Sequence, residues 1–166
     1  MKESAAKLLV KEMKAAGIKL LTCLPDGGLK QLYFLCQNDP DFEFVPVTHE
    51  GEGVAIAAGA WLGGKRALMF MENSGIRTGS EALARLNVGI EIPVPILMSY
   101  RGSIGDGNWW AESQGVTLEP MLEALRIPYR ILDKEEDIEG SLQRAIRTMG
   151  ATKNHVAIII GEGLMW

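Results

Sequence analysis

Apolar positions along the chain alternate between helical and extended spacing, and the alternation repeats from one end to the other. Residues 3–16 carry the spacing of a helix that stops at Gly17, a natural residue for the left-handed turn after a helix. The short apolar run Ile18–Leu24 is ended by Pro25-Asp26-Gly27-Gly28 and predicts a buried strand followed by a turn. A helix over Leu29–Gln37, a strand over Phe42–Val47 and a small-residue helix over Glu50–Leu62 follow. Further on, strands are predicted at Ala67–Met71, Pro93–Tyr100, Tyr129–Leu132 and Val156–Ile160. Helices are predicted at Gly79–Val88, Thr117–Leu125 with Thr117 as N-cap, and Glu135–Met149. Residues 101–116 are Gly-rich and read as a long irregular loop.

Alternating strands and helices of this kind predict an α/β fold: a doubly wound, mainly parallel six-stranded sheet with helices on both faces. Ligands of such sheets sit beyond the carboxyl ends of the strands, which selects the loops 24–28, 48–52, 72–78 and 100–116. The sequence has no repeat, low-complexity tract or linker, so residues 1–166 are expected to form one domain.

Composition narrows the partners. A net charge of −4 argues against nucleic acid or an anionic membrane surface. Apolar runs are strand-sized, and the N-terminus lacks a signal-peptide pattern, so a cytoplasmic protein is expected. Cys23 and Cys36 lie in apolar settings without metal-type spacing and read as reduced core residues.

The segment Thr48-His49-Glu50-Gly51-Glu52-Gly53 joins a strand to a helix. Its acidic residues fit two roles: ordinary helix capping, or a poorly solvated carboxylate suited to proton transfer at the head of a buried helix. His49-Glu50 is not a zinc-protease motif, because position 53 is Gly, and Gly51-x-Gly53 lacks the rest of a dinucleotide fingerprint. Glu72-Asn73-Ser74-Gly75 is either a plain polar turn or a ligand-facing loop. The adjacent Trp109 and Trp110 are expected to be covered, first by a subunit interface and otherwise by substrate or the domain itself.

Taken in order, these segments resemble the pyrimidine-binding α subunit of two-subunit thiamine diphosphate-dependent decarboxylases of the sulfopyruvate and phosphonopyruvate type. Leu24-Pro25, Pro46–Gly53, Ala57–Lys65, Asn73-Ser74-Gly75, Ala82-Leu83, Arg101-Gly102 and Gln114-Gly115 carry the resemblance, which spans essentially the whole chain. It implies that Glu50 is the catalytic residue, hydrogen-bonding the cofactor's pyrimidine nitrogen and promoting its imino tautomer. It further implies that Pro25, Thr48, His49, Asn73, Ser74 and Gly75 join Glu50 in holding the cofactor.

Departures from the family pattern fall at Asp26, Arg77 and the residues after Gly75. Asp26, Arg77 and Gln114 are the candidate substrate residues. Arg77 either recognises an anionic group or is a surface charge. Gly105-Asp106-Gly107 resembles the start of the family's Mg²⁺ motif, but no Asn pair follows near Tyr129–Asp133, so no metal site is assigned to this chain. The resemblance therefore implies a separate β subunit holding Mg²⁺ and the diphosphate of the shared thiamine diphosphate, in a heterotetramer or larger assembly. A small 2-oxo acid is the implied substrate, with CO₂ and an aldehyde as products. The alternatives are a non-catalytic homologue that binds a partner or small ligand, and a subunit of a carboligase.

Overall fold

The computed structural model describes residues 1–166. Six strands form one sheet: β1 (Leu20–Cys23), β2 (Glu43–Pro46), β3 (Ala67–Glu72), β4 (Pro95–Ser99), β5 (Tyr129–Leu132) and β6 (Val156–Ile160). Their spatial order is β2-β1-β3-β4-β6-β5, and every neighbouring pair is parallel. A parallel sheet with helices on both faces buries its central strands completely, which is why β1, β4 and β6 are apolar almost without alternation. Edge strand β2 is half exposed and ends at Pro46, where no further ladder donor is needed.

The helices are α1 (Glu3–Ala15), α2 (Lys30–Gln37), α3 (Glu50–Leu62), α4 (Gly75–Thr78), α5 (Ser80–Ala84), α6 (Glu112–Ala124), α7 (Glu135–Ile138), α8 (Ser141–Thr152) and α9 (Glu162–Met165). Two apolar clusters cover the sheet. One joins α1, α2, α7, α8 and α9 through Leu9, Met13, Leu32, Leu142 and Leu164. The other joins α3 to α6 through Val54, Ala58, Ile76, Leu83 and Leu118. Cys23 and Cys36 belong to the first cluster as free thiols, and burial pushes both up to about 12. No helix is long and apolar enough to cross a membrane.

Three expected elements differ. The helix expected to start at Thr117 starts at Glu112, and Thr117 is not its cap: its Oγ1 donates back to the Ser113 carbonyl at 2.7 Å. The early start lets Gly115 seat against Gly102, where a Cβ on either residue would collide with the other segment's backbone. The helix expected over 135–149 breaks at Gly140, which is left-handed with φ 68°, and resumes as α8. The stretch expected as one helix over 79–88 is a series of short turns, passing from α5 into a π-helical segment at Arg85–Gly89. That wider turn buries Asn87, which donates to the Leu125 carbonyl and accepts from the His155 N–H.

The chain runs from β1 outward to β2, then crosses back over β1 through α3 to reach β3 on its other side. Connections thus diverge between β1 and β3, and a crevice opens beyond the carboxyl ends of these two strands.

Candidate functional site

The first turn of α3 separates capping from chemistry. His49 is extended (φ −151°) and serves as N-cap, its Nδ1 accepting from the Gly51 N–H at 3.0 Å. Glu52 reaches back, its Oε2 accepting from the Thr48 N–H at 3.0 Å and from Thr48 Oγ1 at 3.2 Å. These two side chains do the capping. Glu50, the first residue of the helix, is left out of it and is buried, with 6% of its surface exposed.

Close packing fixes that carboxylate. Thr22 Oγ1 of β1 donates to the Gly53 carbonyl at 3.0 Å, pinning the first turn of α3 to the sheet. Thr78, at the end of α4, donates its hydroxyl to Glu50 Oε2 at 2.6 Å. Gly75 must be glycine here, since a Cβ would lie 2.8 Å from Glu50 Cγ and 2.6 Å from Met71 Sδ. Glu50 Oε1 accepts no hydrogen bond within the chain and is not sealed in the interior. One oxygen is anchored and the other is available.

Glu50 forms one wall of a cavity of about 180 Å³ at the β1–β3 crevice, with Leu24, Pro25, Asp26, Gly27, Glu72 and Ser74 as the others. Asp26 Oδ1 accepts from the Gly28 N–H at 2.9 Å, and Oδ2 accepts from Ser99 Oγ at 2.6 Å. Ser74 Oγ donates to Glu72 Oε1 at 3.0 Å. Burial, then the Asp26 charge beside it, pushes the Glu72 carboxyl above the usual carboxylate range.

The structure brings Pro25, Asp26, Glu50 and Ser74 together around this cavity and sets Gly75 against Glu50. It places other expected residues elsewhere. Thr48 and His49 are exposed and occupied in capping, so neither forms part of the cavity wall. Asn73 is fully buried and bridges two loops, donating to the Arg101 carbonyl at 2.8 Å and accepting from the Arg101 N–H at 3.2 Å. Arg77 reaches α6, donating to Ser113 Oγ at 3.3 Å. Gln114 is buried, and its Oε1 lacks a partner.

Sequence reasoning did not single out Thr78 or Ser99, and it named Glu72 only as part of the loop Glu72–Gly75. Ser99 and Glu72 are register partners on adjacent strands, a relation that only sheet order reveals. The sole local signal for Thr78 was its place in the loop after β3.

The 101–116 segment is tied down by Arg101. Its guanidinium pairs with Asp106 at 2.7 Å and lies over the rings of Trp110 (4.5 Å) and Trp166 (5.7 Å). Asp106 also accepts from the Gly102 and Asn108 N–H groups, so its carboxylate organises the loop. Trp109 and Ile104 are 87% and 98% exposed.

No family model matches the chain. Among curated proteins, sulfopyruvate decarboxylase subunit alpha of Methanocaldococcus jannaschii is 32% identical over 154 residues, covering 93% of this chain and 90% of that protein. The subunit of the same name from Methanococcus maripaludis is 27% identical over 163 residues, covering 98% and 97%. A phosphonopyruvate decarboxylase of Streptomyces viridochromogenes is 33% identical over 98 residues, 59% of this chain and 25% of that protein. Similarity at this identity and near-complete mutual coverage, on a parallel α/β sheet with a buried glutamate at its crevice, gives the family: the chain belongs with the sulfopyruvate decarboxylase alpha subunits.

Proposed function

We propose that this chain is the α subunit of a thiamine diphosphate-dependent 2-oxo acid decarboxylase, and that its active site is completed by a separate diphosphate-binding β subunit. One observation carries the reading: Glu50 is excluded from capping, anchored through one oxygen by Thr78, and presents its other oxygen at the crevice. Such a carboxylate fits an aminopyrimidine, whose ring nitrogen needs a single proton-sharing partner in a partly apolar wall. Leu24 and Pro25 supply that apolar wall.

When bound, thiamine diphosphate supplies the electron sink for the pair released as CO₂ departs. Glu50 holds the proton at the ring nitrogen, Thr78 and Gly75 fix the height of the carboxylate, and Pro25 limits access of water. In this reading Mg²⁺ and the diphosphate are held by the β subunit. The name "subunit alpha" borne by the relatives supports a partner, and the exposed Trp109 and Ile104 are where we place its edge. Near-full coverage by decarboxylase α subunits favours this reading over a non-catalytic homologue or a carboligase subunit.

The test is reconstitution with a diphosphate-binding partner and measurement of CO₂ release from a panel of 2-oxo acids. CO₂ release by the pair and by neither chain alone supports the proposal. Tight, Mg²⁺-dependent binding of thiamine diphosphate by this chain alone contradicts it.

A further inference from the structure

We infer that the cavity between α1 and α7 is a binding site for a linear organic polycation of the polyamine class, with the Glu12 carboxylate as its anchor. The site shares no residue with the crevice and takes no part in the reaction proposed for it.

Glu12 itself is the first ground. It is 9% exposed, and its Oε2 is sealed from solvent without a hydrogen-bond partner. No ion pair in the chain includes it. Oε1 is the oxygen left toward the cavity that Glu12 lines. A carboxylate taken out of water with neither donor nor counter-ion is strongly destabilising. Its place close to the carboxyl end of α1 adds to the cost, because the negative end of a helix disfavours an acid. Nothing within the fold offsets this charge, and a cation in the cavity would.

The second ground is what surrounds it. The cavity measures about 280 Å³, and Glu135, Glu136 and Glu139 face Glu12 across it. The acids of α7 alone would be ordinary partners of that helix's positive end. Glu12, arriving from a different helix, joins them into one negative wall. Lys11 is the cation on this wall; it follows a different direction on α1 from its neighbour Glu12 and enters no ion pair. The carboxylates are spread over two elements rather than gathered into a chelating set, which disfavours a single metal ion. Leu8 and Ile138 form the apolar part of the wall. A methylene chain with ammonium groups at intervals matches both features, its charges meeting the carboxylates and its methylenes lying on Leu8 and Ile138.

The experiment titrates the full chain with spermidine by calorimetry at physiological ionic strength, with n-butylamine and Mg²⁺ as charge controls. Spermidine should bind saturably at one site, and more tightly than either control. Glu12→Gln should weaken spermidine binding by about tenfold or more, the worth of one hydrogen bond to a charged group. Glu123→Gln removes the same charge from an exposed position on α6 and should leave binding unchanged. Without ligand, Glu12→Gln should melt at or above wild type, since it deletes an uncompensated buried charge, and spermidine should raise its melting temperature less than that of wild type. Absence of saturable binding, equal weakening in E12Q and E123Q, equal affinity for Mg²⁺, or a lower melting temperature of ligand-free E12Q would each overturn the inference. Loss of the site on reconstitution with the β subunit would also overturn it, giving the cavity to a basic segment of that subunit instead.

Discussion

The hydroxyl of Thr78 lies 2.6 Å from Glu50 Oε2 and donates to it across the gap between α4 and α3. The two residues come from different crossover connections, and their contact is what turns a helix-start glutamate into a positioned carboxylate. Gly75 lets α4 approach Glu50 more closely than a side chain would allow, since a Cβ there would lie 2.8 Å from Glu50 Cγ.

Thr78→Val removes the donor at nearly constant volume. A hydrogen bond to a charged group contributes about 1.5–3 kcal/mol, so turnover should fall by roughly tenfold or more, with Thr78→Ser restoring most of it. Steady-state assays of the reconstituted enzyme, alongside melting temperatures that stay near wild type, check this. A fully active Thr78→Val enzyme would show that Glu50 does not depend on this anchor.

Gly75→Ala inserts a methyl between Glu50 Cγ and Met71 Sδ. Overpacking of this kind costs about 1–3 kcal/mol. The variant should melt lower and lose activity together, because the displaced atoms include the carboxylate's own stem. Differential scanning calorimetry and turnover measured on one preparation test the pairing.

His155 offers a pH test away from the site. It is fully buried, its Nδ1 accepts from the Val94 N–H at 2.8 Å, and burial lowers its pKa from 6.5 to about 4, offset in part by the Leu83 carbonyl. The folded chain thus keeps the imidazole neutral while the unfolded chain takes up a proton below its ordinary value. This contribution to stability is complete above the unfolded pKa of 6.5 and declines as pH falls toward about 4. The loss across that window is roughly 3 kcal/mol by linkage. Urea unfolding at about pH 7 and about pH 4.5 should show a steeper fall for the wild type than for His155→Gln. Parallel declines would contradict the assignment.

Much of the fold was readable because parallel strands buried on both faces must be continuously apolar, and Val156–Ile160 or Pro95–Ser99 leave little choice. Glu50 was readable as a candidate, but its two possible roles were not separable, since capping and catalysis favour the same residue type at a helix start. The structure gives the cap to His49 and Glu52 and leaves Glu50 out of it. Asn73 shows the opposite case: a polar residue in a ligand-facing loop whose side chain is wholly engaged with the Arg101 backbone. The Thr78–Glu50 and Asp26–Ser99 contacts span 28 and 73 residues in sequence, and nothing local to either partner announces them. The break at Gly140 rests on a left-handed backbone and the early start at Glu112 on the close approach of Gly102 and Gly115, neither of which periodicity records.

The central claim is that one carboxylate oxygen of Glu50 shares a proton with the cofactor, and the most direct measurement is turnover of a reconstituted Glu50→Gln enzyme. The substitution keeps the volume and leaves Thr78 an oxygen to bond, so assembly with the β subunit and the melting temperature should remain close to wild type. CO₂ release should fall by about 100-fold or more, the scale of a lost acid–base group. Turnover within a few-fold of wild type, in a correctly assembled complex, would contradict the account.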